Sequence, residues 1–358
     1  MINHVAQLVK PNKLPQVIYI LKGGRLGNQL IRFFHLLAWV KENNDACQLT
    51  NVNFWQYASL FESWISNPFC SYPDEISPNW INRALYRLAS GKQMPSIPKA
   101  NSIDKTTDNE QHAALRRRHH RLHRYLSHLP NIQSITSESL VDGNDVVTEI
   151  INLDSDHVRY SILNSPITLL GGWRIEAWES FYHQRTEIRS YFQAVRQYRS
   201  IATECIAHAR GTSDSTMLIG VLIRQDDYSG WAGGRYYFST KQYAKFMRMV
   251  QDLYSNKNCS FLVVSDEKQL AQNFIGLNVS FGTGSATGPG HYIENLVELS
   301  YCDLILSPPS TFSVVAAYLG NVPILPITGD ETGLSEANIL HDNIFSARLD
   351  SHFSASVK

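Results

Sequence analysis

The sequence predicts an α/β protein whose sheets are parallel and covered by helices on both faces. Near its start, residues 17–21 read Val-Ile-Tyr-Ile-Leu, a continuous apolar run typical of a strand buried on both faces. A glycine turn follows, and apolar residues then recur at helical spacing from Leu30 to Ala38. The same alternation returns after a polar linker at 211–215. Alternation of this kind predicts doubly wound sheets, with ligands bound beyond the carboxyl ends of the strands.

The second half of the chain repeats this pattern several times, and 358 residues are enough for two domains. We expect domains at 1–210 and 211–358. The predicted strands of the second half run from Met217 to Ile223, Phe261 to Val264, Leu304 to Leu306 and Val322 to Leu325, and the predicted helices from Tyr243 to Leu253, Ile293 to Leu299 and Phe312 to Leu319.

Composition excludes several classes of protein. The 32 Lys and Arg balance the 32 Asp and Glu, which argues against a dedicated nucleic-acid binder. No apolar run approaches the roughly 20 residues that a membrane span needs, and the first 21 residues lack the apolar stretch of a signal peptide. We therefore expect a cytoplasmic protein. Five widely spaced cysteines without a CxxC pair indicate neither a disulfide framework nor a zinc site.

One segment departs from the neutral charge balance of the chain. Between Arg83 and Arg124 there are ten Lys or Arg against three Asp or Glu, an excess of +7. We interpret residues 83–127 as a basic insertion in the first domain. It is either a solvated basic helix or a patch that attracts an anionic partner such as an acidic glycan, a nucleotide or a membrane surface.

Polar residues cluster where the predicted strands end, beginning with the glycine turn. The run at 23–29 reads Gly-Gly-Arg-Leu-Gly-Asn-Gln, which fits neither the Walker loop nor GxGxxG. Its glycines allow close backbone approach, and Arg25, Asn28 and Gln29 offer donors for sugar hydroxyls or phosphates. A structural turn is the alternative.

The strand predicted to end at Ile223 leads directly into a charged peptide. Arg224 at a strand end is suited to bidentate pairing with a diphosphate. Asp226 and Asp227 beside it are candidates for a base, or cap the next helix. Two adjacent carboxylates without a third are a weak metal signal, and we expect no metal site.

Two further strand ends carry short polar groups. Asp266 follows the strand at 261–264 and either contacts a purine or ribose or caps a helix. Ser310 and Thr311 precede a helix, where hydroxyls and free backbone amides can bind phosphate. The shared position at strand ends favours a common site.

Taken together, these segments resemble the glycosyltransferase family 11 α-1,2-fucosyltransferases. Five segments match in the right order between about Val17 and Ile327. They are Gly24-Arg25-Leu26-Gly27-Asn28-Gln29, the region from Gly171-Gly172-Trp173 through Phe181 to Tyr191-Phe192, Leu222-Ile223-Arg224-Gln225-Asp226-Asp227-Tyr228, Val264-Ser265-Asp266, and Ser310-Thr311-Phe312-Ser313 with the Val314-Val315-Ala316-Ala317 that follows.

The resemblance implies a GT-B fold, in which two Rossmann-like domains face a cleft. It also implies inverting, metal-independent transfer of fucose from GDP-fucose to a hydroxyl of a glycan or other acceptor, with no cofactor. Arg224 would contact the β-phosphate and Asp227 would be the base or orient Arg224. The remaining implied contacts are Asp266 with guanine or ribose, Ser310, Thr311 and Phe312 with the diphosphate, and Arg25, Asn28 and Gln29 with the acceptor side, where Glu176 is a further candidate base.

The sequence departs from the family pattern close to the expected donor. Leu222 replaces the family histidine, Gln225 the second arginine, and Asp226 the glycine. Two alternatives therefore stay open. One is a GT-B transferase that uses another nucleotide sugar, and the other is a catalytically silent protein that binds a nucleotide or glycan. The sequence indicates neither the acceptor nor the oligomeric state.

Overall fold

Two five-stranded parallel sheets form the framework of the protein, as seen in a computed structural model. The structure describes residues 14–20, 25–43, 46–64, 70–72, 83–86, 105–137, 139–142, 145–172, 174–211, 216–329 and 334–341.

The strands are β1 Gln16–Ile20, β2 Gln48–Asn51, β3 Cys70–Ser71, β4 Ile132–Thr136, β5 Ser139–Asp142, β6 Asp145–Thr148, β7 Ile151–Asn152, β8 Ile167–Gly171, β9 Ile175–Glu176, β10 Thr216–Ile223, β11 Asn258–Ser265, β12 Val279–Phe281, β13 Leu304–Ser307 and β14 Ile324–Pro326. The α-helices are α1 Leu26–Glu42, α2 Trp55–Ala58, α3 Lys105–Ser127, α4 Asp156–Leu163, α5 Trp178–Tyr191, α6 Arg196–Arg210, α7 Thr240–Leu253, α8 Tyr292–Ser300 and α9 Thr311–Gly320.

Strand order identifies both sheets as Rossmann-like. The first sheet has the order β3-β2-β1-β8-β4 and the second β12-β11-β10-β13-β14, with every neighbouring pair parallel. The second order is the 3-2-1-4-5 order of doubly wound sheets, in which the strand order reverses between β10 and β13. The predicted α/β class, with two doubly wound parallel sheets, is confirmed by these strand orders.

Burial of β1 explains why its sequence does not alternate. All five of its residues are buried. Val17 and Tyr19 join the core beneath α1, whereas Ile18 and Ile20 join a separate core on the opposite face. A strand covered on both faces gains from apolar residues at every position, so the helical cover and the apolar run have the same cause.

The basic insertion turns out to supply that second cover. Its charged run lies on α3, and Leu122 and Leu126 of that helix are buried against Ile18 and Leu169 of the first sheet. Arg121 and Arg124 on the other side of the helix are exposed. Of the two interpretations, the solvated basic helix holds for one face of α3 only, because the other face completes the core. A patch for an anionic partner on the exposed face stays a prediction.

Helix α6 links the two halves of the chain. Ala209 and Ile206 pack with Leu218 and Leu262 of the second sheet, and the Ser260 hydroxyl donates to the Ala209 carbonyl at 2.7 Å. Near its start, by contrast, Ala194 pairs with Phe61 of the first half. A boundary at residue 210 stays a prediction, because the helix before it already packs on the second sheet.

Helix α9 packs against the first half although it belongs to the second. The Tyr318 ring lies 5.0 Å from that of Phe34 in α1 and 5.3 Å from that of Phe181 in α5. Its hydroxyl donates to the Arg185 carbonyl. Packing of the later turns of α9 thus fixes where its N-terminus lies.

Within the described ranges, no helix is both long enough and apolar enough to cross a lipid bilayer. The cytoplasmic location stays a prediction.

The packing of α3 yields a stability prediction. Leu122→Ala removes a buried side chain and should lower the free energy of unfolding by about 2–4 kcal/mol. Its exposed neighbour provides the control, since Arg121→Ala should change the value by less than about 0.5 kcal/mol. Urea denaturation of both variants measures the difference, and similar small effects would show that α3 does not cover the sheet.

Candidate active site

The second sheet brings a half-buried arginine to the carboxyl ends of its central strands. Arg224 is the first residue after β10, and its backbone N–H donates to the Tyr243 hydroxyl at 3.1 Å. Its side chain is only 16% exposed. Nη2 donates to the Asp227 Oδ1 atom at 2.7 Å, and Nε lies 3.3 Å from the Asp266 Oδ2 atom. Burial alone lowers the pKa of Arg224, but the carboxylates, Asp266 foremost, raise it overall.

Register places Asp266 beside that arginine. Ile223 and Ser265, the last residues of β10 and β11, are paired, so the residues that follow them are neighbours. The Asp266 Oδ1 atom accepts a hydrogen bond from the Gln225 N–H at 2.9 Å. Burial raises the pKa of Asp266, partly offset by Arg224 and the backbone donors. Asp266 is therefore a fixed acceptor at this edge.

Tyr228 connects the carboxyl end of a third strand, β13, to Arg224. The Arg224 guanidinium carbon lies 4.7 Å from the centre of the Tyr228 ring, a cation–π contact. The Tyr228 hydroxyl donates to the carbonyl of Pro309, which follows β13. Tyr228 stood in the matched peptide, but nothing in the sequence indicated that it would connect Arg224 to the next strand.

The N-terminus of α9 opens onto this edge. Ser310 is its N-cap, and the serine hydroxyl accepts a 3.3 Å hydrogen bond from the Phe312 N–H. Thr311 and Phe312 are half-buried in its first turn. Helix N-termini carry a partial positive charge and amides without intrahelical partners, so this turn is suited to an anion.

The glycine turn of the first sheet contacts that helix. A Cβ atom on Gly27 would lie 2.8 Å from the Thr311 Oγ1 atom and 3.0 Å from the Phe312 nitrogen. Arg25 caps α1, and its Nη2 atom lies 3.9 Å from the Asp226 Oδ2 atom. Gly23 and Gly24 lie outside the described residues. The described part of the turn therefore joins the two sheets at their carboxyl edges.

The other predicted acceptor-side residues lie in two places. Asn28 and Gln29 are on the first turn of α1, half-buried and buried respectively, next to Gly27. Glu176 lies on β9, where its carboxylate accepts hydrogen bonds from Arg174 at 2.9 Å and from the Trp178 indole at 2.7 Å. Within the described residues, no hydrogen bond or ion pair joins the Glu176 side chain to Arg224.

The hydrogen bonds to the Glu176 carboxylate influence its pKa. Burial raises its pKa, but the hydrogen bonds from Trp178 and Arg174 outweigh this and lower it overall. His35 lies in the same layer, where its ring is 4.5 Å from the Trp178 ring, and burial lowers its pKa to about 4. A carboxylate with a lowered pKa is a weak base, so Glu176 is better suited to binding or support than to proton removal.

Three carboxylates, those of Asp226, Asp227 and Asp266, surround Arg224 and Arg25 at this edge. An incoming anion has to compete with them for the guanidinium. Asp227 is the easiest to displace because it is 51% exposed, whereas the Asp266 side chain is 15% exposed. Among the described residues, no group of three His, Cys, Asp or Glu side chains is arranged to hold a metal ion.

Comparison with known proteins gives likenesses in overall shape only. No protein-family model matches the chain. No curated protein matches it either. Among solved structures, it is similar to an Arabidopsis thaliana FUT1 mutant in complex with GDP (12% identity, 93% of this chain, 75% of that chain, TM-score 0.49). It is also similar to POFUT1 in complex with GDP-fucose, with 12% identity, 86% of this chain and 95% of that chain covered, and a TM-score of 0.48. A further similar structure is the fucosyltransferase NodZ from Bradyrhizobium, with 15% identity, 88% of this chain and 96% of that chain covered, and a TM-score of 0.45. At these values the likeness assigns neither an activity nor a ligand to this chain.

The Gly27 contact yields a prediction about the joint between the sheets. Gly27→Val puts side-chain atoms against the α9 backbone, which cannot rotate away, and should lower the free energy of unfolding by about 1–3 kcal/mol. Gly230→Val is the control, because a Cβ there meets nothing within 4 Å and its φ is −110°. Denaturant titration compares the two variants. Equal stability would contradict the close approach of α1 and α9.

Proposed function

We propose that this protein is an inverting, metal-independent glycosyltransferase that transfers fucose from GDP-fucose to a hydroxyl of a glycan or other acceptor. The observation that carries the proposal is the half-buried Arg224 guanidinium at the carboxyl edge of a Rossmann-like sheet, connected through Tyr228 to the segment that begins α9. Ligands of such sheets bind at this edge, and both groups favour a diphosphate.

We orient the donor with its diphosphate at Arg224 and its nucleoside toward Asp266. The Arg224 guanidinium and the first-turn amides of α9 would bind the diphosphate, with the Ser310 and Thr311 hydroxyls as further donors. Asp266, whose Oδ1 atom accepts from the Gln225 N–H, would then accept a hydrogen bond from a ribose hydroxyl or a guanine N–H. We assign Arg25, Asn28 and Gln29, at the start of α1, to the acceptor side, and Arg25 lies 3.9 Å from Asp226 in the loop that follows Arg224.

Transfer breaks the bond between the anomeric carbon and the β-phosphate oxygen, and the electron pair leaves with GDP. Arg224 and the α9 amides stabilise that negative charge without a metal. The acceptor oxygen forms the new bond from the opposite face and gives its proton to a base.

Asp227 is our candidate for the base, and its geometry suggests how binding and proton transfer are linked. Its carboxylate is held by Arg224 at 2.7 Å. A diphosphate that takes over this guanidinium would release Asp227 toward the acceptor. If Asp227 instead keeps its bond, its role is to orient Arg224.

The departures from the resembling family are structural in two cases. Leu222 is buried in the core. The Gln225 side chain donates to the Phe238 carbonyl at 3.0 Å and accepts from Gln269 at 3.0 Å, so it fixes the loop after β10. Both residues therefore have structural partners of their own, and Arg224 remains the cation at the end of β10. The competing candidates are a transferase for another nucleotide sugar and a silent binding protein.

Removal of the guanidinium tests the proposal. Arg224→Ala should lower the rate of GDP release from GDP-fucose, with or without added acceptors, by at least about 100-fold. The control is Arg210→Ala, which removes the ion pair with Asp303 and the bond to the Thr216 carbonyl at the amino end of the same strand. It should keep most of the activity.

Circular dichroism of both variants establishes whether each is folded, so that a loss of activity can be separated from a loss of structure. Unchanged turnover in Arg224→Ala would remove this arginine from the active site. Activity of the wild type with a different nucleotide sugar only would favour the second transferase candidate, and binding without any turnover would favour the silent protein.

A further inference from the structure

A large aromatic side chain is exposed beside the candidate active site. Trp231 is 44% exposed, although its ring lies 4.9 Å from that of Tyr228 and 5.4 Å from that of Tyr236. Both tyrosines are buried. The indole is therefore supported from behind, and part of its surface is left open to solvent.

The backbone holds the indole in this position. Ala232, Gly233 and Gly234 follow with φ values of 50°, 66° and 78°. Three successive residues with left-handed backbone conformation define a tight turn directly after the indole. The Arg235 N–H donates to the Ala232 carbonyl and the Tyr237 N–H to the Gly234 carbonyl. Such a turn costs conformational energy, and it presents Trp231 instead of burying it.

A single aromatic ring, that of Tyr228, connects Trp231 to Arg224 in the candidate active site. Tyr228 contacts Trp231 on one side and the Arg224 guanidinium on the other. The exposed indole is thus within one side chain of the group proposed to hold the leaving diphosphate. It lies close enough to contact a molecule that reacts at that edge.

Trp231 and the expected nucleoside site at Asp266 are connected to strands on opposite sides of β10. Asp266, proposed for the ribose or guanine, follows β11 on one side of β10. Tyr228, which supports Trp231, bonds to Pro309 after β13 on the other side. A donor that extends from Arg224 toward Asp266 leaves Trp231 free for a second substrate.

A sugar ring matches this surface chemically. A pyranose presents a face of C–H groups and a rim of hydroxyls, and an indole offers a flat apolar face with polar atoms at its edge. The half-exposed side chains around the active edge, among them Asp227 and Arg25, supply partners for hydroxyls.

We propose that Trp231 is the stacking platform for a pyranose ring of the acceptor, an inference that rests on the proposed function. Its indole covers the apolar face of that ring, while the acceptor hydroxyl points toward Arg224 and Asp227. Trp231 would thereby determine affinity for the acceptor and not for the donor.

The test separates the two substrates. Binding of lactose, cellobiose and chitobiose to the GDP-saturated protein is measured by ligand-observed NMR, and binding of GDP by calorimetry. Trp231→Ala should weaken binding of the preferred disaccharide at least about tenfold, the effect of losing one stacked ring, with GDP affinity unchanged. Trp231→Phe keeps a ring and should recover most of the binding.

A matched control is Tyr160→Ala, which removes an aromatic ring that is 71% exposed on α4. It should leave both affinities unchanged. The inference is overturned if Trp231→Ala keeps disaccharide affinity, if it loses GDP affinity instead, or if the wild type binds none of the three disaccharides. A wild type that binds a disaccharide through Trp231 but does not bind GDP would refute the proposed function alone.

Discussion

The constraint on which the candidate site depends is the placement of a positive charge at the buried carboxyl ends of parallel strands. Buried β10 and β11 end in register, so the first polar residues after them, Arg224 and Asp266, are forced together. A guanidinium that is largely removed from water needs charged or polar partners, and here it has two carboxylates and the face of Tyr228. Tyr228 in turn fixes the segment after β13. One ion pair thus organises the carboxyl edge of the second sheet.

The first sheet is tied to that edge through α9. Tyr318 packs between Phe34 and Phe181 of the first half, which sets the direction of the helix, and its N-terminus then lies against Gly27. The absence of a side chain at Gly27 permits this approach. Core packing on one side of α9 and an anion-binding turn on the other are therefore two consequences of the same helix position. This is how a hydrophobic contact between the halves positions the polar residues of both sheets.

Sequence patterns were sufficient for the elements whose burial makes them uniformly apolar. Val17 and its neighbours, the strand ending at Ile223 and the helix after Ser310 all lie where they were predicted, because parallel strands and their helices leave a strong local signal. The role of α3 was not predictable, since its buried Leu122 is embedded in a run of arginines. Nor was the connection through Tyr228, because a contact between the ends of β10 and β13 depends on strand order. The exposure of Trp231 likewise follows from a left-handed turn that sequence alone does not specify.

The most direct test of this account is the melting temperature of the purified protein with GDP, UDP or CMP, each with and without EDTA. A ligand present at 100 times its Kd adds about 2.7 kcal/mol to the stability of the folded state, which is enough to shift melting visibly. We predict stabilisation by GDP that EDTA does not change, and little effect of UDP or CMP. Failure of all three nucleotides to shift the melting temperature would contradict a nucleotide-sugar site at Arg224.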